Sequence, residues 1–256
     1  MTQLKVSLVQ TALAWESPAD NVAYFDNLLN GFQTDLVVLP EMFSTGFSMS
    51  SAQLAESMEG PTIDWMLGKA KSLAAIVCGS LIIEEHGDYF NRFIWMPPNG
   101  NVSYYDKRHL FRMSTENDHY TRGSEHLILE INGFRVCPQV CYDLRFPVWS
   151  RNDDSYDLLL YVANWPAARR EHWCSLLKAR AIENLSFVVG VNRVGTDGNG
   201  IDYSGDSVVH DFNGTALLEM GTEVAVKTVS LDRSALVEYR DNFPAYLDAD
   251  VYTIKS

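Results

Sequence analysis

Cysteine is scarce in this chain, with four residues in 256. That is too few for the disulfide framework of a small secreted fold, and with no export signal it points to a reducing cytoplasm. The opening Met-Thr-Gln-Leu-Lys-Val-Ser-Leu-Val-Gln lacks the long apolar core of a secretory leader and reads as a first strand. No apolar run is long enough to cross a bilayer. Positive charge is also in short supply. Lys and Arg number 20 against 33 Asp and Glu, and the formal charge of −13 disfavours nucleic acid and anionic membranes as partners. No solenoid-length repeat, Pro/Gly/Ser-rich linker or charge run divides the chain, so 1–256 reads as one domain. The glycines of 195–205 fit neither a dinucleotide nor a P-loop pattern. Cys137 and Cys141 with His109, His119 or His126 fit no zinc spacing. No metal or cofactor is expected.

What is present is an apolar fraction of 46 %, enough for a substantial core. Leu4 to Gln10 reads as a strand, and Ser17-Pro18-Ala19-Asp20 as a helix start with Ser as N-cap. Val22, Phe25, Leu28, Leu29 and Phe32 follow at helical spacing. Asp35 to Pro40 is a continuous apolar strand, a pattern of burial on both faces, and it ends on Glu41. A polar loop, a helix from Thr62 towards Ala74, and strands at 76–84, 89–96 and 102–105 come next; the last ends near Lys107. Residues 108–126 read as a long polar loop, a type that is often functional. A hairpin through Asn132-Gly133 then delivers Cys141 at the end of the strand from Phe134. A buried strand at 157–163, a helix at 169–183, a strand at 187–194, a loop at 195–205 and further hairpin strands complete the pattern. Each half reads strand, helix, strand, helix, then antiparallel strands. Two such halves stacked sheet to sheet give four layers, an α/β sandwich of type αββα.

A side chain at the carboxyl end of a buried strand is held at a crevice, which suits a nucleophile at Cys141. A helix starting after it would lower the thiol pKa. An isolated cysteine is more often a small buried hydrophobe. An isolated Lys107 would read as a solvated loop lysine, but Glu41 directly after Leu-Val-Val-Leu-Pro is an unusual place for an unpartnered acid.

Three blocks change the balance. Leu39-Pro40-Glu41-Met42-Phe43, Tyr105-Asp106-Lys107-Arg108-His109-Leu110-Phe111 and Val140-Cys141-Tyr142-Asp143-Leu144-Arg145-Phe146-Pro147 resemble the signature blocks of the nitrilase, or carbon–nitrogen hydrolase, superfamily. Further similarity lies in 163–166, 178–184 and 192–195, so the resemblance spans nearly the whole chain. The Tyr-Asp-Leu-Arg-Phe that follows Cys141 is similar to the omega-amidase branch rather than to true nitrilases or carbamoylases.

The resemblance implies the four-layer αββα fold and a Glu–Lys–Cys triad. Cys141 attacks an amide carbonyl, Glu41 moves protons, and Lys107 with the backbone N–H of Tyr142 meets the oxyanion. Glu116, by its spacing from Gly123, takes a positioning role on Lys107 and substrate. The implied substrates are small amides such as 2-oxoglutaramate and 2-oxosuccinamate, and the implied assembly is a homodimer or larger homo-oligomer. A deaminated-glutathione-type amidase, an N-carbamoyl hydrolase and a scaffold protein that keeps the fold are the alternatives. Arg112, Arg169 and Arg170 are the first candidates for a clamp on the substrate carboxylate, with Arg145 assigned to an internal carboxylate.

Overall fold

The computed structural model of the chain describes residues 3–153 and 155–254. Strand β1 (Gln3–Gln10) leads to helix α1 (Pro18–Leu28). Pro18 suits the first turn, where its missing N–H would have had no partner. Ser17 stands at the N-cap, but its hydroxyl donates to Asp20 Oδ2 at 2.7 Å rather than capping the backbone. β2 (Leu36–Val38) follows, then a single turn of helix, α2 (Ser51–Leu54), within the expected loop, and α3 (Pro61–Leu73). β3 (Ile76–Glu85), β4 (Asp88–Met96) and β5 (Ser103–Asp106) form a meander. The expected loop at 108–126 folds partly into a 3₁₀ turn at 112–114 and a short helix, α4 (Glu116–His119).

The second half repeats the plan. β6 (Leu129–Ile131) and β7 (Phe134–Val140) form a hairpin, and β8 (Leu158–Ala163), α5 (Arg170–Asn184) and β9 (Phe187–Asn192) follow. A small hairpin, β10 (Val194–Thr196) and β11 (Asp202–Ser204), occupies the stretch expected to be loop. β12 (Val208–His210), β13 (Ala216–Glu219), β14 (Ala225–Asp232) and α6 (Arg233–Asn242) end the regular structure.

The strands form two six-stranded sheets, ordered β14-β1-β2-β3-β4-β5 and β13-β12-β9-β8-β7-β6. In each, three neighbouring strands are parallel and the flanking ones antiparallel. The side-chain alternation of β2 shows the layering. Leu36 and Val38 join the core between the sheets, with Val6, Leu8, Val136 and Val162. Val37 faces the other way, into the layer that α1 and α3 build with Phe25, Leu29, Ile63 and Met66. Trp173 and Leu177 of α5 cover the outer face of the second sheet. The fold is therefore the α/β four-layer αββα sandwich, and burying each such Leu or Val stabilises it by about 1.5–3 kcal/mol.

Candidate active site

Glu41 lies three residues beyond β2, on a chain that returns close to β3. The backbone of Leu39 bonds to Cys78 O at 2.8 Å and that of Phe43 to Ser80 O at 3.2 Å. Gly79 makes this approach possible: a Cβ there would stand 2.9 Å from both Leu39 Cβ and Phe43 Cδ1. Lys107 follows β5, its N–H bonded to Asn91 O at 3.0 Å. Gly123 closes the loop after it by donating to Lys107 O at 3.0 Å. Only glycine fits there, since a Cβ would meet Asp106 O at 2.1 Å.

Cys141 follows β7 and holds a left-handed φ of +45°. That conformation is costly for a residue with a side chain, by about 1–3 kcal/mol, and must be held by its surroundings. Asp143 does the holding. Its carboxylate accepts from Val140 N at 3.0 Å, His109 N at 2.9 Å and Tyr105 Oη at 2.8 Å, and pairs with His109 Nδ1 at 2.8 Å. The lysine block and the cysteine block are thereby tied through one buried acid. Arg180 of α5 adds a bond from Nη2 to Leu144 O at 2.6 Å. The segment after Cys141 is a 3₁₀ turn, 141–145, and not the start of a helix as expected. Pro147 accounts for this, because the residue before a proline is pushed out of the helical region.

The structure brings Glu41, Lys107, Glu116 and Cys141 into one buried cluster. Lys107 Nζ lies 2.9 Å from Glu41 Oε1 and 2.9 and 3.0 Å from the two oxygens of Glu116. Phe111 N also donates to Glu116. Burial alone would push the Lys107 ammonium down, but the adjoining Glu116 and Glu41 outweigh it and hold it above its ordinary value. Burial raises the Glu116 carboxyl, with Lys107 opposing and Glu41 reinforcing the shift. Burial likewise raises the Cys141 thiol well above its ordinary value; Glu41 adds to this, and Lys107 does not reverse it. The expected helix end is absent, and Lys107 pulls the thiol pKa down as expected but is outweighed by burial. The resting sulfur keeps its proton and needs a base.

Two asparagines complete the cluster. The backbone N–H of Asn164, at the end of β8, donates to Glu41 Oε2 at 2.8 Å, and its Nδ2 donates to Glu41 O at 2.6 Å. Asn91 of β4 donates to Glu41 Oε1 at 2.8 Å and to Glu116 Oε1 at 3.1 Å. Neither had a role assigned from sequence. The signal for Asn91 was a polar residue two positions before the apolar run Phe93 to Met96, on a strand that closes off from water.

A cavity of about 330 Å³ opens onto Cys141, Lys107 and Asn164. Phe47, Phe111, Tyr142 and Trp165 give it apolar walls. Arg145 and Arg169 also line it, while Arg112 and Arg170 do not. The Arg170 assignment is corrected by its pairing with Asp206, at 2.8 and 2.7 Å, on another face. Arg112 is exposed on the 3₁₀ turn at 112–114, outside the cavity wall. Arg145, expected to hold an internal carboxylate, instead lies over the Trp165 ring at 4.8 Å and contacts His172 Nδ1 at 2.8 Å. Arg169 lies over the Phe111 ring at 5.2 Å. Among the described residues, neither guanidinium has a carboxylate within ion-pair distance. Burial, with the like charge of Arg169 added, lowers the pKa of Arg145. Among the described residues no cluster of three or more His, Cys, Asp or Glu could hold a metal ion.

A two-sheet sandwich with a cysteine, a lysine and two carboxylates gathered at its strand ends is the build of a hydrolase. The carbon–nitrogen hydrolase family model matches residues 5–241, and the chain belongs to that family. It is 46 % identical to "Omega-amidase YafV" of Escherichia coli over 256 residues, 99 % of this chain and 100 % of that protein. It is 31 % identical to the "2-oxoglutaramate amidase" of Bacillus subtilis over 95 % of this chain and 96 % of that one. The crystal structure of XC1258 from Xanthomonas campestris, a CN-hydrolase superfamily protein with an arsenic adduct in its active site, superposes with a TM-score of 0.97. It is 46 % identical and covers 100 % of both chains. No helix among the described residues is long and apolar enough to cross a membrane.

Proposed function

We propose that the protein is an omega-amidase. It hydrolyses the terminal amide of small dicarboxylic-acid monoamides, 2-oxoglutaramate and 2-oxosuccinamate among them, to the acid and ammonia. The observation that carries this reading is the cavity itself, which ends on Cys141 and Lys107 and is lined by Arg145 and Arg169, neither of them with a carboxylate at ion-pair distance among the described residues. An anionic group on the substrate would supply that partner, and planar guanidinium suits a carboxylate. Relatives described as omega-amidase and 2-oxoglutaramate amidase support the same substrate class.

Glu41 takes the proton of Cys141 as the sulfur bonds to the amide carbon. The oxygen becomes an oxyanion that meets Lys107 Nζ and the Tyr142 N–H. Collapse breaks the carbon–nitrogen bond, and the proton on Glu41 passes to the leaving nitrogen, so that ammonia departs. Water then gives a proton to Glu41 and its oxygen to the thioester carbon. Collapse of this second adduct releases the acid and returns the proton to sulfur. Glu116 holds Lys107 in place throughout.

The shared core between the two sheets supports one domain over 1–256. The cysteines are free, which supports a reducing cytoplasm. Exposed Val148, Phe243, Leu247 and Val251 support a homodimer or larger homo-oligomer. Ammonia release from a panel of omega-amides, nitriles and N-carbamoyl compounds tests the function. The oxo-acid amides should be cleaved with kcat/KM at least about tenfold above neutral amides of equal length, from the loss of one charge-assisted bond. Equal values would remove the clamp, and preference for a nitrile or carbamoyl compound would remove the omega-amidase reading.

A further inference from the structure

We infer that Asn91, locked by Ser80, is a positioning residue that blocks one oxygen of Glu41 and thereby sends the proton of Cys141 to the other. The inference rests on the proposed role of Glu41 as base, and it adds which atom carries the proton and what makes that choice.

The hydrogen-bond chain has only one consistent direction. Met42 N donates to Ser80 Oγ at 2.9 Å, so the Ser80 hydroxyl must use its own proton elsewhere. It donates to Asn91 Oδ1 at 2.8 Å. With Oδ1 so fixed, Nδ2 faces the two acids, and its two N–H groups serve Glu41 Oε1 at 2.8 Å and Glu116 Oε1 at 3.1 Å. Ser80, Asn91, Glu41 and Glu116 are all fully buried, so water does not offer substitutes.

A carboxylate oxygen has two in-plane lone pairs. On Glu41, Oε1 accepts from Asn91 Nδ2 and from Lys107 Nζ at 2.9 Å, which fills both. Among the described residues Oε2 has one donor, the backbone N–H of Asn164 at 2.8 Å, and keeps one lone pair open. The proton leaving Cys141 Sγ therefore adds to Oε2. Without Asn91, Oε1 would keep Lys107 as its one donor and regain a lone pair, so the proton could rest on either oxygen and the choice between them would be lost. Asn91 does not line the substrate cavity, so substrate binding should not depend on it.

Asn91→Leu keeps the volume and removes the donors. Its kcat is expected to fall about 100-fold, within the range for disturbed acid–base catalysis, with KM within about threefold. The rate of Cys141 alkylation by iodoacetamide, followed by peptide mass, needs no amide substrate. Its acid limb is expected to move up by about one pH unit, because a carboxylate that loses a buried donor holds its proton more tightly. Ser80→Ala, a smaller change, should give a shift of the same sign and smaller size, and Ser80→Thr, which keeps the hydroxyl, should restore most of it. An alkylation profile with an unmoved acid limb in Ser80→Ala, or a loss of kcat matched by an equal rise in KM, overturns the inference. A wild-type enzyme that fails to cleave omega-amides overturns the function and leaves the alkylation test standing.

Discussion

The two halves of the molecule are built on the same hooks and end in different chemistry. Before β2, Asp35 accepts Lys5 N on its carboxylate at 2.7 Å, donates its own N–H to Lys5 O and accepts Ile76 N. Before β8, Asp157 does the same with Arg135 N at 3.0 Å, Arg135 O and Phe187 N. Six residues beyond Lys5 stands Thr11, and six beyond Arg135 stands Cys141. At the far ends of β2 and β8 stand Glu41 and Asn164, which bond to each other across the interface. The comparison separates scaffold from candidate site: the hooks tie the amino ends of the strands together, and the carboxyl ends carry the clustered groups proposed to act on substrate.

Replacing the two counterparts of the first strand position should give the widest contrast. Cys141→Ala is expected to lower kcat by about 10⁴-fold or more, as for loss of a nucleophile. Thr11→Val, which removes only a hydroxyl bonded to Tyr24 Oη at 3.1 Å, should leave kcat within about threefold, since alanine-scale packing changes there reach no reacting atom. A similar loss in both variants would mean that the strand end matters as packing. Ammonia release and a thermal melt measure both effects.

The helix that follows β8 offers a second contrast between neighbours. Arg169→Ala should raise KM for 2-oxoglutaramate about 10- to 100-fold, the loss of a charge-assisted bond, and barely alter a neutral amide. Arg170→Ala removes the half-exposed partner of the buried Asp206 and should lower the melting temperature with KM unchanged. Steady-state kinetics with the charged and neutral substrates would show whether the adjacent arginines are as different as their partners.

The smallest effect lies in the hooks. Burial raises the Asp157 carboxyl, but bonds from Arg135 and Arg233 outweigh it and hold the group below its ordinary range. A carboxyl depressed on folding contributes stability that is present above the unfolded value of about 3.9 and is lost as pH falls through the folded one. The melting temperature should therefore drop on acidification, and Asp157→Asn should flatten that drop. Asp35→Asn, at a half-buried hook with a backbone donor and no arginine among the described residues, should change the profile less.

The strands, both helix layers and the four clustered side chains were legible because each leaves a local mark. β2 reads as an apolar run because both its faces are covered, and Cys141 and Lys107 sit in blocks with a family pattern. The arginines were not legible. Arg145, Arg169 and Arg170 carry the same charge in sequence, and only the fold decides that Asp206 meets the last while, among the described residues, no acid pairs with the first two. The balance at the Cys141 thiol was only partly legible for a related reason. Local sequence offered a helix end and a lysine, whereas burial, together with two carboxylates already satisfied by that lysine, governs the sulfur. The part of Asn91 also lay beyond sequence, since it depends on Glu41 and Glu116 arriving from distant loops.

Peptide mass analysis of the enzyme quenched during turnover of 2-oxoglutaramate tests the joining of the two halves most directly. The expected result is an adduct on the Cys141 peptide with the mass of the substrate less ammonia, enriched when water attack is slowed and absent in Cys141→Ala. Steady ammonia release with no adduct on Cys141, together with retained activity in Cys141→Ala, would contradict the thioester chemistry and the role given to Glu41.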